Sequence, residues 1–156
     1  MQSLPPSDAT LDERLRLIVA SYKRLTGKAL IDNVPSEIPA LRQAVWDAPR
    51  AIVAHGTETD PVFFYGNRMA LQLFEMSFEE FARLPSRFSA EPLAREERAK
   101  LLDIVTRQGY VDNYSGMRIA KSGRRFMIEN GTVWNLLDEQ GIYRGQAAVF
   151  VAQKLK

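Results

Sequence analysis

The 156-residue sequence contains no cysteine and a single histidine, His55. Without cysteine the chain can form no disulfide, no thiolate zinc or iron–sulfur site and no cysteinyl adduct with a flavin. It also contains no apolar run approaching the roughly 20 residues that a membrane span requires, and its N-terminus lacks the basic and then apolar order of a signal peptide. We therefore expect a cytoplasmic protein with no membrane contact and no metal site.

The sequence also shows no excess of one charge, because 21 basic residues stand against 19 acidic ones, a net charge of +2. Proteins that bind polyanions usually carry a larger basic surplus, so we expect no nucleic-acid partner. Four basic residues do surround a predicted hairpin tip, and we interpret them as a solvated surface group: Arg118, Lys121, Arg124 and Arg125. At this length and 46% hydrophobic residues, the chain can bury a core without metals or disulfides.

Apolar residues repeat with helical spacing near the N-terminus. Thr10 and Glu13 form a capping-box pattern that predicts the start of a helix, and Gly27 predicts its end. The members of the apolar stripe share one helix face: Leu11, Leu15, Ile18, Tyr22 and Leu25. Such a stripe is typical of a helix that packs on its own domain. The same spacing suits a short coiled coil, so a homodimer through this helix, or through the sheet, remains an alternative.

The middle of the sequence alternates strand and helix signals. A second short helix is predicted from near Glu37 to before Pro49. Two short apolar runs of strand length follow it, at residues 51–54 and 61–65. Three helices are predicted next. The first is capped by Asn67, the second begins with the capping box of Ser77 and Glu80, and the longer third runs from near Pro92 to Gly109.

The last third of the sequence predicts an antiparallel meander of three strands, at residues 110–120, 124–137 and 143–152, with glycine late in both turns. Strict alternation in the middle strand places one set of side chains on one face: Phe126, Ile128, Asn130, Thr132, Trp134 and Leu136. Buried polar groups cost free energy unless they are paired. The polar members of this face therefore indicate either internal hydrogen bonds or a pocket with a polar guest, and both interpretations stay open.

Several stretches resemble a known family. The segment from Phe64 to Phe81 is similar to the part of a PAS domain in which an asparagine follows the second strand and opens a helix. A closer resemblance, to the bacterial stand-alone form of the PAS-related MEKHLA domain, rests on five blocks: His55-Gly56-Thr57, Tyr114–Phe126, Glu129-Asn130, Thr132–Leu136 and Gly145–Ala148. It covers about residues 37–152.

The resemblance implies an α+β fold with a PAS-like five-stranded antiparallel sheet and short helices on one face. We expect residues 1–36 to form an N-terminal amphipathic helix and linker, and residues 37–156 to form the PAS-like domain. The function implied is that of a stand-alone sensory or regulatory domain. The resemblance implies no catalytic residue and no particular cofactor, so the identity of any cofactor stays unknown.

The candidate ligand site lies between the sheet and the short helices. We expect its lining to comprise Tyr65, Asn67, Arg68, Met117, Phe126, Asn130, Trp134 and Phe150, with Asn67 and Arg68 as polar anchors. In the alternative interpretation the asparagine simply ties helix to strand.

His55, at the end of the first strand, is expected to fix its loop by a hydrogen bond rather than to hold a metal or a haem. No phosphate loop or nucleophile elbow accompanies it, so we expect no enzyme. Two functions remain: a sensory domain that binds a small molecule, a protein partner or both, and a dimerisation or interaction module with a filled core.

Overall fold

A computed structural model describes residues 4–5, 8–90 and 95–153 of the chain. Its α-helices are α1 (Ala9–Thr26), α2 (Ile38–Trp46), α3 (Arg68–Phe74), α4 (Phe78–Phe81) and α5 (Arg95–Gln108). Its strands are β1 (Ala51–His55), β2 (Phe63–Gly66), β3 (Tyr110–Ile119), β4 (Arg125–Leu137) and β5 (Tyr143–Gln153). A 3₁₀-helix at Ser86–Ser89, which the sequence pattern did not predict, precedes α5. The predicted start of α5 near Pro92 lies outside the described residues.

The strands form one sheet in the order β2-β1-β5-β4-β3, and every neighbouring pair is antiparallel. The first strand therefore lies between the second and the last, with Ala51 opposite Phe150 and Val53 opposite Ala148. This arrangement confirms the predicted PAS-like sheet with its N-terminal helix. It also divides the molecule into two layers. We call the side of the sheet that α3, α4 and α5 cover the inner face, and the side that α1 covers the outer face.

The first helix begins one residue after Asp8, whose carboxylate caps it. Asp8 has an extended backbone, and its Oδ1 accepts hydrogen bonds from the amides of Thr10 at 2.8 Å and Leu11 at 3.2 Å. The predicted capping box of Thr10 and Glu13 is therefore wrong. Thr10 is already inside the helix, so Asp8 is the residue whose side chain can reach the free amides of the first turn.

The apolar stripe of α1 is buried against the outer face. Leu15, Ile18 and Tyr22 are almost inaccessible to solvent, and the ring of Tyr22 meets that of Trp134 on β4 edge-to-face with centroids 4.8 Å apart. Ser21 adds a polar link, because its hydroxyl donates to the carbonyl of Leu137 and accepts from the amide of the same residue. The apolar stripe of α1 thus packs on the sheet of its own chain. In this fold its buried residues are not available to pair with a second copy of the chain.

A β-bulge divides β4 into two halves, and it reverses which side chains point to the inner and the outer face of the sheet. Between Glu129 and Thr132 this strand has one residue more than β5, and Asn130 adopts a left-handed backbone with φ of 50°. The extra residue reverses the alternation. Before the bulge, Phe126 and Ile128 point to the inner face. The strict alternation predicted from sequence is therefore wrong beyond residue 129.

Candidate functional site

A small, partly open cavity lies between the inner face of the sheet and α5. Its volume is about 50 Å³, which corresponds to roughly three to five water-sized atoms. The apolar part of its wall comes from β1, β2, α3, α5, β4 and β5: Val53, Ala54, Phe63, Phe74, Leu101, Leu102, Ile128, Val133, Ala147, Ala148 and Phe150. The polar part consists of His55, Ser89, Arg98, Tyr114, Arg118 and Gln146.

Arg98 contributes a buried positive charge to this wall. The residue is only 9% exposed and lies on the same side of α5 as Leu101 and Val105, the two buried apolar residues of that helix. Within the described chain its guanidinium forms no ion pair and no hydrogen bond. Burial lowers its pKa to about 10, and the nearby charge of Arg118 adds to the effect. Arg98 therefore stays cationic at neutral pH.

Arg118 is the second buried guanidinium of the cavity. It is 7% exposed, and it donates from Nη1 to the carbonyl of Met117 at 2.8 Å and from Nη2 to the hydroxyl of Tyr114 at 3.2 Å. Its interpretation as part of a solvated hairpin tip is therefore wrong. At the tip itself, Lys121 pairs with Glu80 and Arg124 donates to a carbonyl of α3.

His55 belongs to the wall of the cavity, but its Nε2 is enclosed by protein. Its Nδ1 lies 3.1 Å from the carbonyl oxygen of Gly56, while its buried Nε2 has no partner among the described residues. A carbonyl can only accept, so Nδ1 carries the proton and Nε2 of the neutral ring is an acceptor. Burial lowers the pKa of His55 and so does the charge of Arg98, whereas the hydrogen bond to Gly56, the neighbouring side chain of Gln146 and the charge of Glu58 raise it. The predicted loop-fixing hydrogen bond is confirmed.

Side-chain amides fasten α5 to the sheet beside the cavity. The Nε2 of Gln146 on β5 lies 3.1 Å from each of three acceptors, including the carbonyl of Leu102 and the Oδ1 of Asn135. The Nδ2 of Asn135 on β4 donates to the carbonyl of Val105 at 3.0 Å. The position of α5 relative to β4 and β5 is therefore set by a few buried hydrogen bonds at the cavity wall.

Among the eight predicted lining residues, Phe150 is the one that lines the cavity. Phe126 is buried in the adjoining apolar cluster and meets Phe74 edge-to-face at 5.0 Å. Met117 is half-buried, and its carbonyl supports Arg118. The structure thus places these residues near the cavity but brings only one of them to its wall.

Asn67 and Arg68, the predicted polar anchors, are occupied elsewhere. The Oδ1 of Asn67 accepts from the amides of Ala70 and Ile52, and its Nδ2 donates to the carbonyls of Val45 and Arg50. These four bonds fit the alternative in which the asparagine ties helix to strand. Arg68 pairs with Asp47 at 2.8 Å and is half-exposed.

The other three predicted residues lie away from the cavity. Tyr65 and Trp134 belong to the cluster of the outer face, with Tyr22 of α1. Asn130 is exposed at the bulge. These residues were misplaced because the sheet contains two register irregularities, one in β4 and one between Ala54 and His55. Each irregularity changes which face of the sheet the following side chains point to.

Sequence reasoning missed Arg98 and Arg118 as cavity residues. A signal for Arg98 was present, since it precedes Leu101 by three positions and Val105 by seven and so lies on the buried stripe of α5. No comparable signal marked Arg118, because β3 contains two register irregularities around Tyr114 that change which side chains face inward.

Among the described residues no group of three histidines or carboxylates could hold a metal ion, and within the same part of the chain no helix is long and apolar enough to cross a membrane. A wider groove of about 770 Å³ runs between α1 and the β4–β5 turn. Its charged residues are of both signs and lie at the surface, so it has the character of an ordinary solvated groove.

The model of the MEKHLA domain family matches residues 12–154. The chain belongs to this family. The homeobox-leucine zipper protein HOX9 of Oryza sativa subsp. indica is 26% identical over 136 residues, which cover 87% of this chain and 16% of that protein. This MEKHLA chain therefore spans about a sixth of the length of such curated relatives.

Solved structures share the fold. The PAS domain of a protein from Colwellia psychrerythraea matches with a TM-score of 0.62 and 19% identity, covering 75% of this chain and 98% of that one. A light-oxygen-voltage domain studied with a flavin analogue matches with a TM-score of 0.61 and 17% identity, covering 74% and 85%. The MEKHLA chain thus has a PAS-like fold, as expected. Its bacterial stand-alone form stays a prediction.

Proposed function

We propose that this MEKHLA domain is a regulatory module that binds a small molecule in the cavity between the inner face of its sheet and α5. The observation that carries the proposal is the polar part of the cavity wall. Arg98 and Arg118 line the same cavity, and Arg98 is buried without an ion pair or hydrogen bond among the described residues, an arrangement that is costly unless something pairs with the charge.

The same cavity suggests how binding would be transmitted. Its wall includes Leu102 and Gln146, which also carry one of the hydrogen bonds between α5 and β5. A guest that favours one packing of α5 over another shifts the population of the two. The output then reaches a second protein through the outer surface of α5, which is exposed at Glu97 and Asp103.

The alternative is an interaction module with a filled core. The small volume of the cavity is the observation in its favour, since ligand pockets are commonly about 300–1,000 Å³. A homodimer through α1 would require that helix to leave its own sheet. Cytoplasmic location, a division into residues 1–36 and 37–156, and ligand contacts at the eight residues named from the sequence stay predictions.

The test is a titration of the ¹⁵N-labelled full chain with a set of small molecules of no more than six non-hydrogen atoms. We expect at least one to give saturable amide shifts at Val133, Ala147 and Ala148, with little change in α1. Ala148→Leu, which adds volume at the cavity wall, should remove the response, while Ala20→Leu on the exposed side of α1 should keep it. No saturable shift at the cavity for any compound would favour the filled-core alternative.

A further inference from the structure

The charges that line the cavity indicate which class of small molecule it can bind. Two guanidinium groups, those of Arg98 and Arg118, line a space of about 50 Å³, and within the described chain neither forms an ion pair with a carboxylate. Asp60 is the acidic residue that acts on Arg98 through space, yet its carboxylate is held by Arg87 at 3.0 Å. Among the described residues, the cavity therefore holds two positive charges with no carboxylate paired directly to either.

The fork of a guanidinium matches a carboxylate or another planar oxyanion, and such pairs are strongest where water is excluded. Tyr114 holds Arg118 in place, since the guanidinium bonds its hydroxyl and lies 5.6 Å from its ring centroid. Gly116 permits this arrangement, because a Cβ there would lie 2.3 Å from the same hydroxyl. Arg118 is thus oriented before any anion arrives.

His55 contributes shape rather than a hydrogen bond to this site. Its Nε2 is enclosed by protein, so a guest in the cavity does not reach it. The remaining wall is apolar, with Phe74, Ile128 and Phe150 among its residues, which suits a short carbon chain beside the carboxylate.

We propose that the cavity binds a small carboxylate anion, with the carboxylate between Arg98 and Arg118. This inference rests on the proposed function and names its ligand class. The cavity volume limits the guest to about five non-hydrogen atoms, which is the size of glycolate. For so small a ligand the dissociation constant is no tighter than roughly a few micromolar.

The test is a calorimetric and thermal-unfolding titration of the full chain with sodium glycolate, against sodium acetate, which lacks the hydroxyl, and glycolamide, which lacks the charge, all at matched ionic strength. We expect glycolate and acetate each to bind at least tenfold more tightly than glycolamide. Equal binding of glycolate and glycolamide overturns the anion assignment but leaves the proposed function intact. No binding by any of the three overturns the inference, and the broader compound set then decides the proposed function separately.

Variants on α5 provide a matched control. Arg98→Met should weaken glycolate binding at least tenfold while leaving the ligand-free protein as stable as before or more so, because an unpaired buried charge is removed. Arg107→Met on the exposed side of the same helix, where Arg107 pairs with Asp103, should leave glycolate binding unchanged. A purely structural Arg98 gives the opposite pattern, with lower stability of the ligand-free Arg98→Met protein and unchanged glycolate affinity, and this pattern contradicts the proposal. If Arg98→Met does not fold, the comparison of the three ligands on the unaltered chain still decides.

Discussion

At the scale of single residues, Asn67 shows how one side chain can organise three elements. Its amide joins the end of α2, the start of β1 and the first turn of α3 through four hydrogen bonds, and the residue is fully buried. Part of this role could be predicted from the sequence, because an asparagine before an apolar helix is a common cap. The bonds to Val45 and Arg50 could not, since they depend on how distant segments pack.

Replacing Asn67 by alanine should therefore cost much more than losing an ordinary cap. Asn67→Ala leaves the amides of Ile52 and Ala70 and the carbonyl of Arg50 without the partner that Asn67 provides, and we expect a loss of about 3 kcal/mol in the free energy of unfolding. Ser77→Ala, which removes the exposed cap of α4, should cost about 1 kcal/mol. Urea denaturation of both variants measures the difference. Equal losses would show that the additional bonds of Asn67 contribute nothing.

His55 makes a prediction about pH. Burial lowers its pKa below the ordinary value of 6.5 in the folded chain, and Arg98 of α5 adds to the shift. The hydrogen bond to Gly56, the neighbouring side chain of Gln146 and the charge of Glu58 oppose it. Below pH 6.5 the imidazole of His55 therefore becomes protonated in the unfolded chain while it stays neutral in the folded chain. The free energy of unfolding consequently falls as the pH drops through this window. Above it the contribution is constant.

Urea denaturation between pH 7.5 and 5.5 measures this effect. We expect the free energy of unfolding to decrease below pH 6.5 in the unaltered chain and to stay nearly flat in His55→Gln, because the chain has no other histidine. The carboxylates whose pKa is lowered, those of Glu75, Glu80 and Asp138, lose their contribution only at more acidic pH. The same slope in both proteins would contradict a buried neutral imidazole.

At the scale of elements, the bulge in β4 explains why the predicted pocket residues were partly misplaced. Alternation along a strand is a reliable guide only while the register is regular, and the left-handed residue at position 130 interrupts it. Asparagine tolerates that conformation better than most residues. The sequence contains this asparagine, but nothing around it marks a bulge rather than a paired position.

Substitutions at position 130 test the backbone conformation directly. Asn130→Val places a β-branched residue at positive φ, and we expect a loss of about 1–2 kcal/mol in the free energy of unfolding. Asn130→Gly should be neutral within about 0.5 kcal/mol or slightly stabilising. Because the side chain is exposed, lost packing does not explain such a difference. A valine that is tolerated as well as glycine would contradict the bulge.

The first helix is the element whose role the structure changes most clearly. Its stripe indicated either packing or pairing, and the burial of Ile18 against the outer face shows packing. Ile18→Ala should therefore lower the free energy of unfolding by about 2–4 kcal/mol, while Lys23→Ala on the exposed side should change it by less than about 0.5 kcal/mol. Thermal unfolding with sedimentation analysis checks both. An Ile18→Ala protein of unchanged stability but altered oligomeric state would restore the pairing interpretation.

Truncation addresses the division at residue 36. Because residues of α1 and of β4 share one apolar cluster, we expect residues 37–156 alone to be poorly folded or prone to associate through the uncovered outer face. Circular dichroism and sedimentation of the truncated chain measure this. A stable monomer of native spectrum would show that the PAS-like part is independent of its N-terminal extension.

At the scale of the whole molecule, the order of strands was predictable because the resemblance to a known family supplied what periodicity alone could not. The pairing of β1 with β5 joins the first strand of the chain to the last one, and no local sequence pattern specifies such a distant contact. The charged cavity was not predictable in the same way. It arises where α5 and β3 bring the side chains of Arg98 and Arg118 together. The sequence around each arginine does not indicate that the two share a cavity.

The most direct measurement is a ¹⁵N spectrum of the arginine Nε–Hε groups of the full chain during a titration with sodium glycolate. We expect the signals of Arg98 and Arg118 to shift together along one saturable curve, while the signal of Arg107 follows only the ionic strength. Shifts of all arginine signals in proportion to added salt, or no shift of the two buried ones, would contradict a cavity that takes up an anion.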